Sequence, residues 1–294
     1  MNVIRITPSG YCFGVVNAIN TVIKANKSNI PKPINVYGML IHNKMVIKAL
    51  EEIGIKTIYD PKISDLDDIT GTVVFTAHGI SKKIIKKAKE NGLNVINATC
   101  RDVTKTHNII DDYIHDGYEV IYIGKKNHPE AVSSTESDKV HLIETIADLD
   151  KINFNKKLAV TNQTTMSIFD VKHIYAHIKE NYPNVIIINE ICNATRRRQL
   201  AVLEHIDVDK LFVVGDKKSN NSNNLAKLHP KGILIENIYD IDESNLSNLK
   251  TVAVTAGAST PKAIIDEVVK YLENYDKMPK KISKLSNKDI LRLK

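Results

Sequence analysis

Short apolar runs alternate with amphipathic stretches along the whole chain. The runs are continuously apolar rather than alternating, as at 119–124, which is typical of parallel strands buried on both faces. The stretches between them, such as 81–92, repeat apolar residues at helical spacing and end at a glycine. This alternation predicts an α/β fold with parallel sheets. Ten segments fit the strand pattern, namely 3–6, 34–38, 72–77, 94–98, 119–124, 157–161, 185–189, 211–215, 233–236 and 251–256.

The three cysteines occupy matched places in this pattern. Each closes a predicted strand and precedes a predicted helix, and Cys12, Cys100 and Cys192 follow one another at intervals of 88 and 92 residues. The blocks share negligible sequence identity, so only element order and cysteine position relate them. On that basis we predict three similar α/β lobes and a basic tail. Their predicted boundaries are 13–98, 99–191, 192–274 and 275–294.

Polar residues that can bind a ligand collect where the predicted strands end. In parallel α/β sheets, ligands bind outside the carboxyl ends of the strands. We therefore predict a site built from these ends. Apart from the cysteines and the polar run at 216–224, the residues concerned are His42, Asn43, His78, His128, Glu130, Gln163, Thr164, Thr165, Ser259 and Thr260.

These residue types suit two kinds of ligand. Ser, Thr and Asn side chains and helix N-terminal amides donate to phosphate oxygens, and histidines add switchable donors. Thiolates at helix N-termini bind soft metals, and three gathered at one point would hold a metal or an iron–sulfur cluster with one position open. A lone cysteine at a strand end is more often only a small buried hydrophobe. Three at matched positions favour the metal site.

The composition argues against some classes of protein. No apolar run approaches the roughly 18 residues of a membrane span, and the N-terminus lacks the apolar core expected of a signal peptide. An odd number of widely spaced cysteines makes a poor disulfide framework. We therefore expect a reducing, cytoplasmic environment.

The net charge of +7 is concentrated at the C-terminus, where seven basic and two acidic residues follow Tyr275. Charged chain ends are usually solvated and partly mobile, and we expect this of the tail. Binding of nucleic acid through the tail is the alternative.

Nine motifs occur in an order that defines a known family. They are SGYCFGVVNAI, LIHNKMV, TAHGIS, NATCRDVTK, HPE, TNQTTMS, EICNATRRRQ, VVGDKKSNNSNNL and TAGASTP. In these motifs, from Cys12 to about residue 272, the chain resembles the 4-hydroxy-3-methylbut-2-enyl diphosphate reductases. The resemblance implies a trefoil-like arrangement of three lobes around a central [4Fe–4S] cluster. Its implied ligands are Cys12, Cys100 and Cys192, with one iron free of protein.

The resemblance also implies an activity. The substrate is an allylic alcohol diphosphate whose hydroxyl binds the free iron, and two electrons and two protons release it as water. Isopentenyl and dimethylallyl diphosphate are the products, in the last step of the methylerythritol phosphate route. An electron donor such as ferredoxin or flavodoxin is the implied partner, and no membrane or nucleic-acid partner is expected.

Individual roles carry over by the same resemblance. Glu130 matches the acid that supplies protons, Thr164 matches a residue near the substrate hydroxyl, and His128 matches a pocket histidine. A carboxyl beside an anionic substrate should have a raised pKa, which suits a proton donor. The implied substrate-binding set is His42, His78, His128, Thr164, Ser219, Asn220, Asn221 and Ser259.

The chain departs from the family pattern at several positions. Asn17 and Asn224 stand where basic residues are usual, Asn220 where serine is usual, and Arg101 where proline is usual. These changes remove positive charge and a donor type from the phosphate end. They leave a divergent paralogue that reduces another phosphorylated allylic alcohol as an alternative. A non-catalytic three-cysteine metal protein is the alternative from another class.

Overall fold

The structure is a computed structural model that describes residues 1–149, 152, 154, 157–277, 279–281 and 285–293. Lys284 and Lys294 of the predicted basic tail lie outside the described residues. The chain forms two compact units. Unit 1 comprises Met1–Ile19, Ile41–Lys56 and Asn193–Lys294, and unit 2 comprises Asn20–Leu40 and Thr57–Cys192.

Strands and helices alternate along the described chain. The strands are β1 (Asn2–Arg5), β2 (Ile34–Tyr37), β3 (Lys56–Ile58), β4 (Thr72–Phe75), β5 (Asn94–Asn97), β6 (Glu119–Ile123), β7 (Val140–Ile143), β8 (Leu158–Asn162), β9 (Ile186–Ile187), β10 (Lys210–Val214), β11 (Gly232–Ile235) and β12 (Thr251–Ala256). The α-helices are α1 (Phe13–Lys27), α2 (Lys44–Glu51), α3 (Lys82–Glu90), α4 (Arg101–His115), α5 (Pro129–Ser134), α6 (Ile146–Leu149), α7 (Ile168–Asn181), α8 (Asn193–Leu203), α9 (Asn220–Lys227), α10 (Lys262–Glu273) and α11 (Asn287–Ile290).

The strands form three four-stranded sheets. Unit 1 carries the sheet with strand order β1-β12-β10-β11, and its neighbouring strands pair in parallel. The sheets of unit 2 have the orders β3-β2-β4-β5 and β7-β6-β8-β9. The pairs β2–β4 and β4–β5 are parallel, as are all three pairs of the other sheet. The predicted α/β fold with three small parallel sheets is confirmed.

The continuous apolar runs arise because each central strand is covered on both faces. In β6, Ile121 and Ile123 pack into one core with residues of α7, while Val120 and Tyr122 pack into another with Ile110 of α4. Successive side chains of a strand point to opposite faces, so burial on both faces requires apolar residues at every position.

All ten predicted strands are present, and two further strands were missed. These are β3 and β7, which lie at the edges of the unit 2 sheets. The β3 positions are exposed or half-buried, and β7 is half-buried at its two central positions. An edge strand needs less apolar surface, so its sequence carries a weaker signal.

Part of the tail is packed rather than solvated. α11 begins at a capping box between Ser286 and Asp289, and Ile290 is buried within unit 1. The Tyr11 hydroxyl donates to the Ile290 carbonyl oxygen at 2.7 Å. The expectation of a solvated end does not hold for this segment, because one apolar side chain and one backbone acceptor anchor it.

Among the described helices, none is long and apolar enough to cross a membrane.

Gly71 offers a test of how tightly the start of β4 is packed. Its φ is +79°, and an added Cβ would lie 2.5 Å from backbone atoms of Lys32 and Pro33. Gly117 has a similar φ of +83° with nothing within 4 Å. Both Gly→Ala changes share the strain of a left-handed residue, but only Gly71→Ala adds a backbone clash. We expect Gly71→Ala to lower the free energy of unfolding by about 1–3 kcal/mol more than Gly117→Ala, measured by urea denaturation. Equal losses would contradict the packing argument.

Candidate active site

Each cysteine is held in the same local arrangement. The backbone N–H of Cys12 donates to the carbonyl oxygen of Ala258 at 3.1 Å, that of Cys100 to Ala77 at 3.0 Å, and that of Cys192 to Thr164 at 3.1 Å. Each acceptor lies two residues beyond the end of a central strand, β12, β4 or β8. Each cysteine itself follows the strand that pairs with that central strand, β1, β5 or β9.

A helix begins directly after each cysteine, at Phe13, Arg101 and Asn193. All three cysteines are free of disulfides and half-buried. A thiol that is reachable and next to the positive end of a helix dipole suits a thiolate ligand better than a fully buried packing residue. The donor set therefore fits the soft-metal cluster expected from the sequence.

Glu130 is a buried carboxylic acid held at both oxygens. It lies in the first turn of α5 and is 2% exposed. Its Oε1 accepts from the Thr164 backbone N–H at 2.7 Å, and its Oε2 accepts from the Thr164 hydroxyl at 3.0 Å. Because Cys192 N–H donates to the Thr164 carbonyl oxygen, acid, threonine and cysteine form one continuous hydrogen-bonded set in unit 2.

Burial raises the pKa of Glu130 to about 7, and the negative charge of Asp102 adds to the rise. The hydrogen bonds from Thr164 and Tyr122 act in the opposite direction, since they stabilise the ionised form. A carboxyl with a pKa near 7 is partly protonated at neutral pH. It is therefore matched to donating a proton.

His128 is coupled to Glu130 through the start of α5. It is the N-cap residue of this helix, and its Nδ1 accepts from the Glu130 backbone N–H at 3.2 Å. In the neutral ring, Nε2 then carries the proton and can donate to a ligand. The ring of His78 stands edge-on to that of His128, with the centroids 5.6 Å apart. Unit 2 thus brings together the predicted residues His78, His128, Glu130 and Thr164.

Unit 1 brings together a second group of predicted residues. The Ser259 hydroxyl donates to the His42 carbonyl oxygen at 2.8 Å. Burial lowers the pKa of His42, and the nearby Asp216 carboxylate opposes this effect. Asp216 also accepts from the backbone N–H groups of Lys44 and Lys218, at 3.2 and 2.8 Å. The segment at His42 and Lys44 is therefore hydrogen-bonded to Ser259, which follows β12, and to Asp216, which follows β10.

Ser219, Asn220 and Asn221 lie at the N-terminus of α9, and all three side chains are buried. Ser219 caps the helix by accepting from the Ser222 backbone N–H at 3.3 Å. The Asn221 amide oxygen accepts from the Thr195 hydroxyl at 3.4 Å, while its Nδ2 has no hydrogen-bond partner among the described residues. A buried donor in this condition can be satisfied by an anionic ligand.

Sequence reasoning missed two residues at these groups. Tyr122 was read only as part of a buried strand, yet its hydroxyl lies 3.5 Å from Glu130 Oε1. Asp216 was read only as part of a polar run, although it accepts from the Lys44 backbone N–H and its charge acts on His42. A carboxylate directly after a strand end is a signal that could have been used for Asp216. A phenol inside an apolar strand offers no such signal.

The LytB protein family model matches residues 3–273, which is most of the chain. The chain belongs to the LytB family. Named relatives of similar length agree with the match. A 4-hydroxy-3-methylbut-2-enyl diphosphate reductase from Geobacillus sp. (strain WCH70) is 47% identical over 94% of this chain and 91% of its own length. The reductase of the same name from Bacillus pumilus (strain SAFR-032) is 49% identical over 94% of this chain and 92% of its own.

Solved structures extend the LytB match to the fold. The E-1-hydroxy-2-methyl-but-2-enyl-4-diphosphate reductase from Plasmodium falciparum superposes with a TM-score of 0.87 at 34% identity, covering 93% of this chain and 88% of that one. A structure of (E)-4-hydroxy-3-methyl-but-2-enyl diphosphate reductase, titled the terminal enzyme of the non-mevalonate pathway, gives 0.65 at 28% identity, covering 93% and 99%. The expected family is confirmed.

The raised pKa of Glu130 predicts a pH dependence of stability. In the unfolded chain this carboxyl returns to about its ordinary pKa of 4.5. Between pH 4.5 and 7 the folded protein keeps a proton that the unfolded chain has released. The contribution of Glu130 to the free energy of unfolding therefore falls as pH rises through this window, by up to about 3 kcal/mol, and is constant above it.

Glu130→Gln should lack this decrease, because the amide does not titrate. We expect the variant to gain stability relative to wild type on going from about pH 4 to about pH 8, measured by urea denaturation on preparations of equal iron content. A parallel pH response of Glu130→Gln and wild type would refute the raised pKa.

Proposed function

We propose that the chain catalyses the reductive dehydroxylation of (E)-4-hydroxy-3-methylbut-2-enyl diphosphate to isopentenyl and dimethylallyl diphosphate, the terminal step of the non-mevalonate pathway. Membership in the LytB family and the names of the relatives support this function. The observation that carries it is the hydrogen-bonded set of Glu130, Thr164 and Cys192, in which Thr164 bonds both the carboxyl of the proposed proton donor and the backbone N–H of a cysteine. None of the relatives described above favours a divergent substrate or a non-catalytic role.

We infer that Cys12, Cys100 and Cys192 hold a [4Fe–4S] cluster. Their half-buried thiols and the helix that starts after each one support this assignment. When bound, the cluster supplies electrons and a Lewis-acidic iron for removal of the hydroxyl group. The three equivalent backbone hydrogen bonds would hold the ligand loops in place.

In this proposal Glu130 donates a proton to the departing hydroxyl group. Hydroxide is a poor leaving group, so general acid catalysis lowers the barrier substantially. Thr164 holds both carboxyl oxygens, which limits the rotation of the acid. An anionic substrate nearby would raise the pKa of Glu130 further and keep the acid protonated. His128, positioned by the Glu130 backbone, would donate from Nε2 to a substrate oxygen.

The unit 1 group is proposed to bind the diphosphate. Ser219, Asn220, Asn221, Ser259 and His42 supply hydroxyl, amide and imidazole donors at strand and helix ends. The unpartnered Asn221 Nδ2 supports this assignment most directly, because a phosphate oxygen would relieve the cost of a buried donor. His78 is also assigned to substrate binding.

The electron donor and the location in the cell are further parts of the proposal. A low-potential one-electron carrier such as ferredoxin or flavodoxin would supply the two electrons in successive steps. Three cysteines without a disulfide agree with a reducing, cytoplasmic environment. The lobe boundaries 13–98, 99–191 and 192–274 stay a prediction.

Glu130→Gln tests the acid. The amide keeps the shape of the carboxyl and can still accept from the Thr164 backbone, but it cannot donate a catalytic proton. We expect turnover to fall by roughly 100-fold or more while the KM for the diphosphate and the iron content stay near wild type. The measurement is steady-state reduction under exclusion of oxygen with dithionite-reduced viologen dye. Wild-type turnover in Glu130→Gln would show that Glu130 is not the proton donor.

Cys192→Ser tests the ligand set. Serine keeps the backbone hydrogen bond to Thr164 but replaces a soft thiolate by a hydroxyl. We expect the variant to contain little of the iron and sulfide found in wild type purified anaerobically, and to lack the brown absorption band. Ser133→Cys, which adds a thiol elsewhere in unit 2, should leave the wild-type cluster content unchanged. Full iron and sulfide in Cys192→Ser would exclude Cys192 as a ligand.

A further inference from the structure

A lysine and a glutamate connect the two cysteine segments of unit 2. Lys105 lies on α4, the helix that begins directly after Cys100, and Glu190 lies two residues before Cys192. The Lys105 Nζ donates to Glu190 Oε1 at 2.7 Å, so the two side chains form a hydrogen-bonded ion pair. Neither side chain has a part in the proton transfer or the substrate binding proposed above. The pair, here called the Lys105–Glu190 link, joins the chain around one thiol to the chain around another.

The two partners of the Lys105–Glu190 link differ in exposure. The Glu190 side chain is 6% exposed, whereas that of Lys105 is 63% exposed. An ion pair between two exposed side chains contributes little, because water solvates either partner when the other is lost. A buried carboxylate has given up its hydration, so removal of its cation leaves an uncompensated charge inside the protein. Loss of Lys105 should therefore disturb the segment that carries Glu190.

The segment of Glu190 is held on its other side by the chain at the end of β8. The Glu190 backbone N–H donates to Asn162 Oδ1 at 3.0 Å, and Asn162 is fully buried as the last residue of β8. Two residues on, the Cys192 N–H donates to the Thr164 carbonyl oxygen at 3.1 Å. These bonds place the segment against β8 and the loop after it. The Lys105 side chain adds a contact from the helix that follows Cys100.

Lys105 is itself fixed relative to Cys100. The backbone N–H of Thr104 donates to the Cys100 carbonyl oxygen at 2.9 Å, and the Thr104 hydroxyl donates to the same oxygen at 3.3 Å. Lys105 follows in the same helix, whose backbone is rigid over so short a distance. A movement of the Cys192 segment away from α4 would therefore stretch the Lys105–Glu190 link, and the link opposes such a movement.

We propose that the Lys105–Glu190 link positions Cys100 and Cys192 for the iron–sulfur cluster and neutralises a buried carboxylate beside it. The inference rests on the proposed binding of a cluster by the cysteines. Lys105 and Glu190 are positioning residues and not ligands. Two properties depend on the link. Without it the cluster is lost more readily, and an uncompensated carboxylate near the cluster favours the oxidised form, because reduction adds negative charge.

Lys105→Met removes the cation and keeps an unbranched apolar stem of similar length. We expect the anaerobically purified variant to release iron to a ferrous chelator about tenfold faster than wild type, as for loss of an outer-shell partner. We also expect the reduction potential of its cluster to be more negative. Absorbance of the chelate gives the rate of iron release, and a redox titration followed by electron paramagnetic resonance gives the potential. Lys105→Arg keeps the charge and should stay close to wild type in both.

A double variant separates the charge from the connection between the segments. Lys105→Met/Glu190→Gln lacks both charges, so its net charge equals that of wild type while the ion pair is absent. We expect its reduction potential to return close to the wild-type value and its iron release to remain fast. A potential as negative as that of Lys105→Met alone would contradict the neutralisation of Glu190. Wild-type iron release in the double variant would contradict the positioning role.

Lys82→Met is the matched control. The Lys82 Nζ lies 2.6 Å from Asp111 Oδ2, in an ion pair that joins α3 to α4 within unit 2 but involves no residue next to a cysteine. This variant should match wild type in iron release and in potential. Wild-type behaviour of Lys105→Met would overturn the inference. Equal changes in Lys82→Met and Lys105→Met would also overturn it, because they would show a general loosening of α4.

Two measurements on wild type separate this inference from the proposed function. A cluster without turnover on the diphosphate would refute the proposed reaction and leave iron release in Lys105→Met to decide the role of the link. Turnover with a cluster, together with unchanged iron release and potential in Lys105→Met, would refute the link alone. Wild type that holds no iron or sulfide after anaerobic reconstitution would overturn both.

Discussion

The arrangement of the candidate site depends on one repeated hydrogen bond. The N–H of each cysteine donates to a carbonyl oxygen two residues beyond the end of the neighbouring central strand. The bond fixes where the chain turns from strand to helix, and so it fixes where each thiol stands relative to its own sheet. In a parallel sheet that is buried on both faces, only the ends of the strands are accessible for binding and catalysis. The hydrogen bonds of the cysteines lie at these ends.

At Cys192 the same bond connects the backbone of the cysteine to the residue that holds the acid. Its acceptor, Thr164, is also the residue that holds both oxygens of Glu130. Placement of the acid is therefore not independent of placement of the thiol, since one loop residue sets both. Burial of Glu130 raises its pKa to about 7, and the same burial separates the carboxyl from water. Activation of the acid and its isolation from water are two results of one constraint.

Much of this could be predicted from the sequence. All ten predicted strands formed because strands covered on both faces must be apolar at every position, which is a strong local signal. The edge strands β3 and β7 were missed because an edge is partly solvated and its pattern is weak. Packing of Ile290 in the tail was missed because one buried residue among lysines and serines carries no periodicity.

The sequence by itself determined the α/β class, the place of each cysteine between strand and helix, and the family, because these follow from local periodicity and from ordered motifs. Only the tertiary structure decided which side chains modify one another. That Thr164 holds both oxygens of Glu130, that Tyr122 reaches the same carboxyl, and that Asp216 acts on His42 depend on residues far apart in the chain. Such contacts are set by how strands pair and helices pack, and a pKa follows from burial and neighbours that no local pattern encodes.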